Sequence, residues 1–290
     1  MQSLWMVAAG LAFAGMGIFV KMAAAEFSVA EIVLYRSVIQ MVIAWVALAR
    51  TGSTVRTDRF GMHVHRGVAG FVSLFCFFYS LVELPVATAV TLNYTSPIFL
   101  AMLLAALARE RPSPRLVGTI LFGFAGIVLL LRPVLHQDQL WPGFVGLMSG
   151  VISSVAYWNV RRLVQSGEPE ARVVFYFALF AALGALVWMA PQPWHAVRMD
   201  NGWQLAAVGV LGSAGQMFMT RAYGQGSTLI TAALSYSGIV FSSVLGILAF
   251  GDVLPVIAWV GMAMIVAAGI IAVQLRPGAE RGPAPPSSSD

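Results

Sequence analysis

The residues of this chain that could do chemistry are polar side chains inside long apolar segments, and Arg36 is the first of them. It is the one basic residue that we place well inside such a segment, with Gln40 one helical turn further along. A guanidinium at that depth could attract the carboxylate or phosphate of a substrate. It could equally extend toward lipid headgroups, or pair with Glu31 or Glu83.

Two short polar segments in the same setting are similar to each other: NYTSP at 93–97 and SYSG at 235–238. Pro97 has no N–H, so we expect the helix to break there and leave the carbonyl of Asn93 without its helical partner. Such backbone is tolerated in a membrane only beside protein or water. Both segments could border a substrate cavity, or serve only as kinks and packing. The candidate binding residues are Asn93, Tyr94, Ser235 and Tyr236.

Further polar residues recur at helical spacing and form three stripes. One consists of Ser213, Gln216, Thr220 and Tyr223, another of Ser149, Ser153 and Tyr157 with Asn159 nearby, and a third of Ser73, Cys76, Ser80 and Glu83. Each stripe could line a cavity or make hydrogen bonds between helices. We take Tyr157, Asn159 and Gln216 as candidate substrate-binding residues, and Glu83 as a candidate coupling site.

The sequence gives little support to an enzyme. The four histidines, His63, His65, His136 and His195, are predicted to lie in connections, and no third ligand joins the pair at 63 and 65 to hold a metal. A nucleophile, histidine and acid set is not evident, nor is a glycine-rich phosphate loop. We therefore expect no catalytic residues, no metal and no cofactor. An intramembrane lipid-modifying enzyme or a scaffold stays as a distant alternative.

Composition indicates a protein surrounded by lipid. The 290 residues are 59% hydrophobic and 10% charged, whereas soluble domains carry roughly 25% charged residues. The net charge of +5 comes from arginines in short segments between apolar runs, which argues against a nucleic-acid partner. We expect the partners to be a small-molecule substrate and the bilayer, with the chain acting as a monomer or homodimer.

Ten apolar segments are each long enough to cross a bilayer. We number them as spans 1 to 10, and their ranges are 3–23, 29–50, 65–83, 86–108, 114–132, 142–163, 172–190, 203–223, 228–250 and 255–275. The first is predicted to be a retained span, although AAA at 23–25 resembles a cleavage site. Residues 276–290 are rich in proline and serine and are expected to be disordered.

The two halves of the chain resemble each other. Residues 79–133 align with 221–277, pairing Tyr94 with Tyr236 and Glu110 with Asp252, and Gly10 falls on Gly150. The residue equivalent to Arg36 is Phe177, so we expect no matching cation in the second half. We divide the chain into two five-helix repeats, 1–137 and 138–275, followed by the tail at 276–290.

The positive charges predict the orientation of the spans. With a cytoplasmic N-terminus, thirteen basic residues fall on the cytoplasmic side and three on the other side, Lys21, Arg132 and Arg198. The thirteen are Arg50, Arg56, Arg59, Arg66, Arg109, Arg111, Arg115, Arg161, Arg162, Arg172, Arg221, Arg276 and Arg281. Five spans is an odd number, so the second half is inverted. We predict an all-α integral membrane protein with ten transmembrane helices in two inverted five-helix repeats and both termini cytoplasmic.

The chain resembles the EamA branch of the drug/metabolite transporter superfamily over residues 3–275. The resemblance rests on the layout of five and five helices, on LYRSVIQ at 34–40, and on the segments that begin with NYTSP and SYSG. It implies secondary transport of a small organic molecule across a bacterial inner membrane. It also implies a central cavity bordered by Asn93, Tyr94, Ser235 and Tyr236, with spans 5 and 10 outside it.

Within that class we favour efflux of a carboxylate-bearing, amino-acid-like compound by alternating access, with Arg36 as its anion partner. The alternative is an importer of a nucleoside, vitamin or S-adenosylmethionine-like compound. Residues 3–20 hold no acid, which argues against export of cationic drugs through a glutamate in span 1. The second half has Ile239 where the first has Pro97, so we do not expect the halves to be equivalent at this point.

Overall fold

The computed structural model describes residues 1–84, 86–107, 113–132, 137–251 and 255–275, and within these ranges the regular structure is helical, without strands. The chain forms α1 (Trp5–Ala23), α2 (Val29–Arg50), α3 (Phe60–Glu83), α4 (Val86–Asn93), α5 (Ser96–Leu107), α6 (Pro114–Leu131), α7 (Leu140–Gln165), α8 (Glu170–Met189), α9 (Gly202–Gln225), α10 (Thr228–Ser235), α11 (Ser237–Phe250) and α12 (Val256–Gln274). Short 3₁₀ turns precede α1 and α7. The expected acids Glu110 and Asp252 and the tail at 276–290 lie outside the described residues.

Long apolar helices dominate the described chain. Eight of its helical segments are long and apolar enough to cross a membrane, counting α4–α5 and α10–α11 as one segment each. The helices α3 and α9, with 24 residues each, run beside them. The predicted spans therefore coincide with these helices to within a few residues at most ends. The clear exception is α3, which begins at Phe60 rather than at residue 65.

Helices from the first half of the chain pack mainly on helices from the second half. The most extensive contacts join α3 to α7, α1 to α9, α2 to α8, and α6 to α12. The last pair is very close, since a Cβ added to Gly126 would lie 2.7 Å from the carbonyl oxygen of Gly261. Small residues at such a crossing let two backbones approach. The largest buried cluster lies between the two halves and includes Tyr223 and Tyr236.

The predicted break in span 4 is present, and span 9 breaks at the matching place. Between α4 and α5, Thr95 N donates to Leu92 O over 3.2 Å, and Pro97 occupies the first turn of α5. Between α10 and α11, Ile239 N donates to Tyr236 O over 3.1 Å. Both breaks use tighter, 3₁₀-type bonds. The halves nevertheless differ at this point, as expected from Ile239 in place of Pro97, since Ile239 N donates to Tyr236 O and Pro97 has no N–H to make the equivalent bond.

Each break is contacted by a glycine of the other half. A Cβ on Gly10 of α1 would lie 3.0 Å from Gly238 N, just after the α10–α11 break. A Cβ on Gly150 of α7 would lie 2.9 Å from Leu92 O, just before the α4–α5 break. The two glycines that align in sequence thus each pack against the break of the opposite half.

Candidate functional site

Four tyrosines from four helical segments meet at the centre of the bundle. Tyr94 and Tyr236, one at each helix break, have ring centroids 6.2 Å apart. Tyr157 of α7 and Tyr223 of α9 stack with their centroids 4.7 Å apart and their planes 11° apart. All four belong to or pack against the same buried cluster. Sequence reasoning selected three of them and placed Tyr223 only in a polar stripe, so its spacing was the available signal.

The side chain of Asn93, next to Tyr94, is hydrogen-bonded to α7. Its Nδ2 donates to Ser149 Oγ over 3.0 Å, and Ser149 in turn donates to Gly146 O. One turn further along α7, Ser153 Oγ lies 2.6 Å from Ser73 Oγ of α3. The serine stripes of α3 and α7 therefore make interhelical hydrogen bonds, and Asn93 is anchored on one of them.

Buried polar atoms without partners lie on α9 and at the second break. Among the described residues nothing hydrogen-bonds Gln216 Nε2, Thr220 Oγ1 or the hydroxyl of Tyr236, although all three are buried. A buried donor left unpaired costs roughly 1–3 kcal/mol. Such atoms are expected where a ligand or water supplies the missing bonds.

The side chain of Arg36 points between α1 and α9. A Cβ added to Gly212 of α9 would lie 2.8 Å from Arg36 Nε and 2.9 Å from the sulfur of Met16 on α1. Arg36 Nε is buried, and it has no hydrogen-bond partner in the described part of the chain. One turn along α2, Gln40 is 1% exposed, and its Nε2 also has no hydrogen-bond partner among the described residues. Arg36 is thus a donor group turned toward α1 and α9.

Arg66 is a second buried cation, which sequence reasoning missed. It lies in α3 and is 3% exposed, with its Cζ 4.3 Å above the ring centre of Phe177 on α8. The expectation that Arg36 is the one basic residue well inside a helix is therefore wrong. The charged residues around Arg66 were taken for a connection because α3 starts earlier than the apolar run.

Three candidate residues stand apart from this centre. Asn159 follows Tyr157 by two residues, about 200° around α7, and its Nδ2 donates to Val155 O on its own helix. Glu83 is exposed at the end of α3. Ser235 ends α10 beside the break, but its hydroxyl donates to Ala232 O. The contacts bring together Asn93, Tyr94, Tyr157 and Tyr236. Arg36 lies separately, against Gly212 of α9, one turn before Gln216.

Glu31 holds together the end of the bundle where α2 and α9 begin. Its carboxylate accepts the backbone N–H of Ser28 at 2.8 Å and that of His195 at 2.7 Å. His195 Nδ1 lies 2.8 Å from the same carboxylate. Glu31 is fully buried. Its oxygens are engaged by the α1–α2 and α8–α9 connections, so it is not the counterion of Arg36.

Glu168 links the α2–α3 connection, α3 and α8 at the opposite end of the bundle, where α3 and α8 begin. Thr57 Oγ1 donates to it over 2.6 Å, Arg172 Nη1 donates over 2.9 Å, and His63 Nε2 lies 3.3 Å away. Burial alone would raise the pKa of Glu168, but these donors outweigh burial and hold that pKa below its ordinary value. His63 and His65 belong to α3, so the prediction that all four histidines lie in connections is wrong for these two.

The centre contains aromatic rings, an amide and hydroxyl groups, and the guanidinium of Arg36 lies between α1 and α9. Within the described ranges, no three residues among His, Cys, Asp and Glu are placed to hold a metal ion. This set of side chains can bind an organic molecule by stacking, hydrogen bonds and charge.

Long apolar helices around a polar, aromatic centre define a multi-pass membrane protein of the small-molecule transporter class. Residues 1–132 match the EamA-like transporter family. The chain is 30% identical over 264 residues to the pseudopaline exporter CntI of Pseudomonas aeruginosa (strain UCBPP-PA14), covering 91% of this chain and 93% of that protein. The chain belongs to the EamA-like transporter family of the drug/metabolite transporter superfamily, and the resemblance in its motifs is confirmed.

Two further comparisons agree with this assignment. The chain is 25% identical over 277 residues to a riboflavin transporter of Vibrio cholerae serotype O1 (strain ATCC 39315 / El Tor Inaba N16961), covering 91% of this chain and 90% of that protein. A crystal structure with 23% sequence identity matches with a TM-score of 0.84 over 94% of this chain and 96% of that chain. The structural match shows the fold alone.

Proposed function

We propose that this protein is a secondary transporter that exports a carboxylate-bearing, amino-acid-like metabolite by alternating access. The observation that supports it is the half-buried guanidinium of Arg36, which faces α1 and α9 and whose Nε is buried and unpaired in the described chain. A guanidinium binds a carboxylate through two parallel hydrogen bonds. The central tyrosines and Gln216 would bind the remainder of the substrate.

The proposal includes ten spans in two inverted repeats, 1–137 and 138–275. Its support is the reciprocal contact of Gly10 with the second break and of Gly150 with the first. Inverted repeats in secondary transporters bind substrate where the repeats meet, often beside broken helices. The excess of arginine on one side favours a bacterial inner-membrane protein with both termini in the cytoplasm. If Arg66 is left out of the count because it lies in α3, twelve of the thirteen basic residues remain on the cytoplasmic side, against three on the other side.

The proposed direction of transport is inferred from a related protein. The protein that is 30% identical over nearly the whole chain is named as an exporter, and we extend that direction to this chain. The riboflavin transporter of Vibrio cholerae is the reason to keep a second candidate, a carrier of a vitamin or another flat heterocycle. The stacked rings of Tyr157 and Tyr223 would suit such a compound.

Counterflow in proteoliposomes tests the role of Arg36. Each radiolabelled L-amino acid is compared with its carboxamide, which has the same side chain but no carboxylate. We expect at least one amino acid to be transported in preference to its amide. Arg36→Gln should lower that transport about tenfold to one-hundredfold and abolish the preference. Arg50→Gln, at the exposed end of the same helix, is the matched control. Unchanged transport in Arg36→Gln would refute the assignment.

A further inference from the structure

Two equivalent places in the bundle have the same packing arrangement. Arg36 is the eighth residue of α2 and lies against Gly212, the eleventh residue of α9. Phe177 is the eighth residue of α8 and lies against Gly70, the eleventh residue of α3, where an added Cβ would come 2.8 Å from its ring. The α2–α9 contact and the α8–α3 contact are therefore counterparts in the two halves.

The second place also holds a guanidinium, although it comes from a different position in the sequence. Phe177 occupies the position of Arg36, and Arg66 from the preceding turn of α3 lies over its ring at 4.3 Å. A Cβ added to Gly70 would collide with Arg66 Nη1 as well as with the ring. The second half itself has Phe177 at this place, as expected, and the guanidinium there is supplied by Arg66 of the first half. A feature that packing alone does not require is present at both places.

Neither guanidinium has a carboxylate partner in the described chain. The ion pairs found there use Glu26, Glu31, Glu168 and Asp200, and none of them involves Arg36 or Arg66. Both Nε atoms are buried and unpaired among the described residues. The face of Phe177 attracts a cation but satisfies none of its N–H donors. A charge left without a partner inside a protein is destabilising, so an anion that reached either guanidinium would stabilise it.

The two cations lie at opposite depths. Arg66 is six residues after the start of α3, or about 9 Å from that end of the bundle. Arg36 is seven residues after the start of α2, or about 10 Å from the other end. An anion that crosses between the halves therefore meets one guanidinium after entering and the other before leaving.

We propose that Arg66 is a second anion site on the transport path, which binds the substrate carboxylate at the end where α3 and α8 begin. This rests on the proposed function, in which Arg36 binds the same group near the opposite end and the α3/α8 end is cytoplasmic. The carboxylate passes from Arg66 to Arg36 as the halves alternate. The two sites make the path selective for an anion from either side.

Side-specific kinetics test this assignment. Right-side-out and inside-out membrane vesicles present the amino acid identified by counterflow to one face at a time. Arg66→Gln should raise the half-saturating concentration at the cytoplasmic face about tenfold or more, with less than about a twofold change at the outer face. Arg36→Gln should do the reverse. The control is Arg162→Gln, which removes a guanidinium that lies 4.7 Å over the Trp158 ring but is exposed.

Three results would overturn the proposal. Equal effects of Arg66→Gln at both faces, or none, would remove the second site; with the Arg36 effect intact, the proposed function would survive. Loss of both Arg effects would refute the proposed function itself. The third result concerns lipid. If phosphatidylglycerol raises the Tm of the wild type but not the Tm of Arg66→Gln, and the transport kinetics of Arg66→Gln are unchanged, then Arg66 binds a lipid phosphate.

A folding defect in Arg66→Gln does not prevent the test. Arg66→Lys keeps the charge but loses the two-pronged geometry that matches a carboxylate. We expect it to weaken binding about threefold or more at the cytoplasmic face only. A Lys variant with no side-specific change would also contradict the proposal.

Discussion

The rings of Tyr94 and Tyr236 lie 6.2 Å apart, and each belongs to the break that divides a membrane segment into two helices. A Cβ on Gly238 would lie 3.3 Å from the Tyr94 hydroxyl. The Tyr236 hydroxyl is buried and has no partner among the described residues. The two breaks therefore bring polar ring ends from both halves into one central region.

Removing the hydroxyl of Tyr236 should weaken transport without lowering the stability of the protein. Because that oxygen is unpaired in the described structure, Tyr236→Phe should leave the Tm of the purified protein unchanged or slightly higher. If the substrate supplies the missing bond, the half-saturating concentration for transport should rise about fivefold to tenfold. Thermal unfolding in detergent and counterflow measure the two effects. A Tm that falls by several degrees would mean that the hydroxyl has a protein partner.

The reciprocal glycine contacts should be sensitive to a single methyl group. Gly10→Ala and Gly150→Ala place a Cβ against the backbone of the opposite half, at 3.0 Å from Gly238 N and 2.9 Å from Leu92 O. Each should reduce the free energy of unfolding by about 1–3 kcal/mol. Gly17→Ala is the control, since its added Cβ meets nothing within 4 Å. Equal stability of all three variants would show that the breaks do not depend on these contacts.

Glu168 should make the stability of the α3/α8 end depend on pH. Its pKa is lowered in the folded protein, so its contribution is complete above the ordinary carboxyl pKa of about 4.3 and is lost as pH falls through the folded value. Wild type should therefore exceed Glu168→Gln in Tm between pH 7 and pH 5, and the difference should shrink below about pH 4. Asp58→Asn, an exposed carboxylate in the same region, is the control. A difference that widens in acid would contradict the sign.

The positions of most helices could be predicted because length and hydropathy determine what crosses a bilayer. The start of α3 could not, since His63, His65 and Arg66 interrupt the apolar run although they continue the helix. Hydropathy cannot distinguish a charged residue in a connection from one buried against an aromatic ring. This is why the cation over Phe177 was missed.

The parts of the candidate site that depend on local chemistry were predicted from the sequence. The parts that depend on packing between helices were predicted less well. Pro97 marks the first break from its missing N–H alone. The second break has no proline; contact with Gly10 of the other half accompanies it, and sequence spacing does not reveal such contacts. The opposite faces of Tyr157 and Asn159 follow from helical geometry and could have been separated at the outset.

Cysteine accessibility at two equivalent connections tests the central claim, two inverted halves, most directly. In a Cys76→Ser background, Asp58→Cys lies in the α2–α3 connection and Ala196→Cys in the α8–α9 connection, both exposed. We expect a membrane-impermeant maleimide to label Ala196→Cys in intact spheroplasts, and Asp58→Cys only after permeabilisation. Labelling of both from the same side would contradict the inverted repeat, and with it a substrate site where the halves meet.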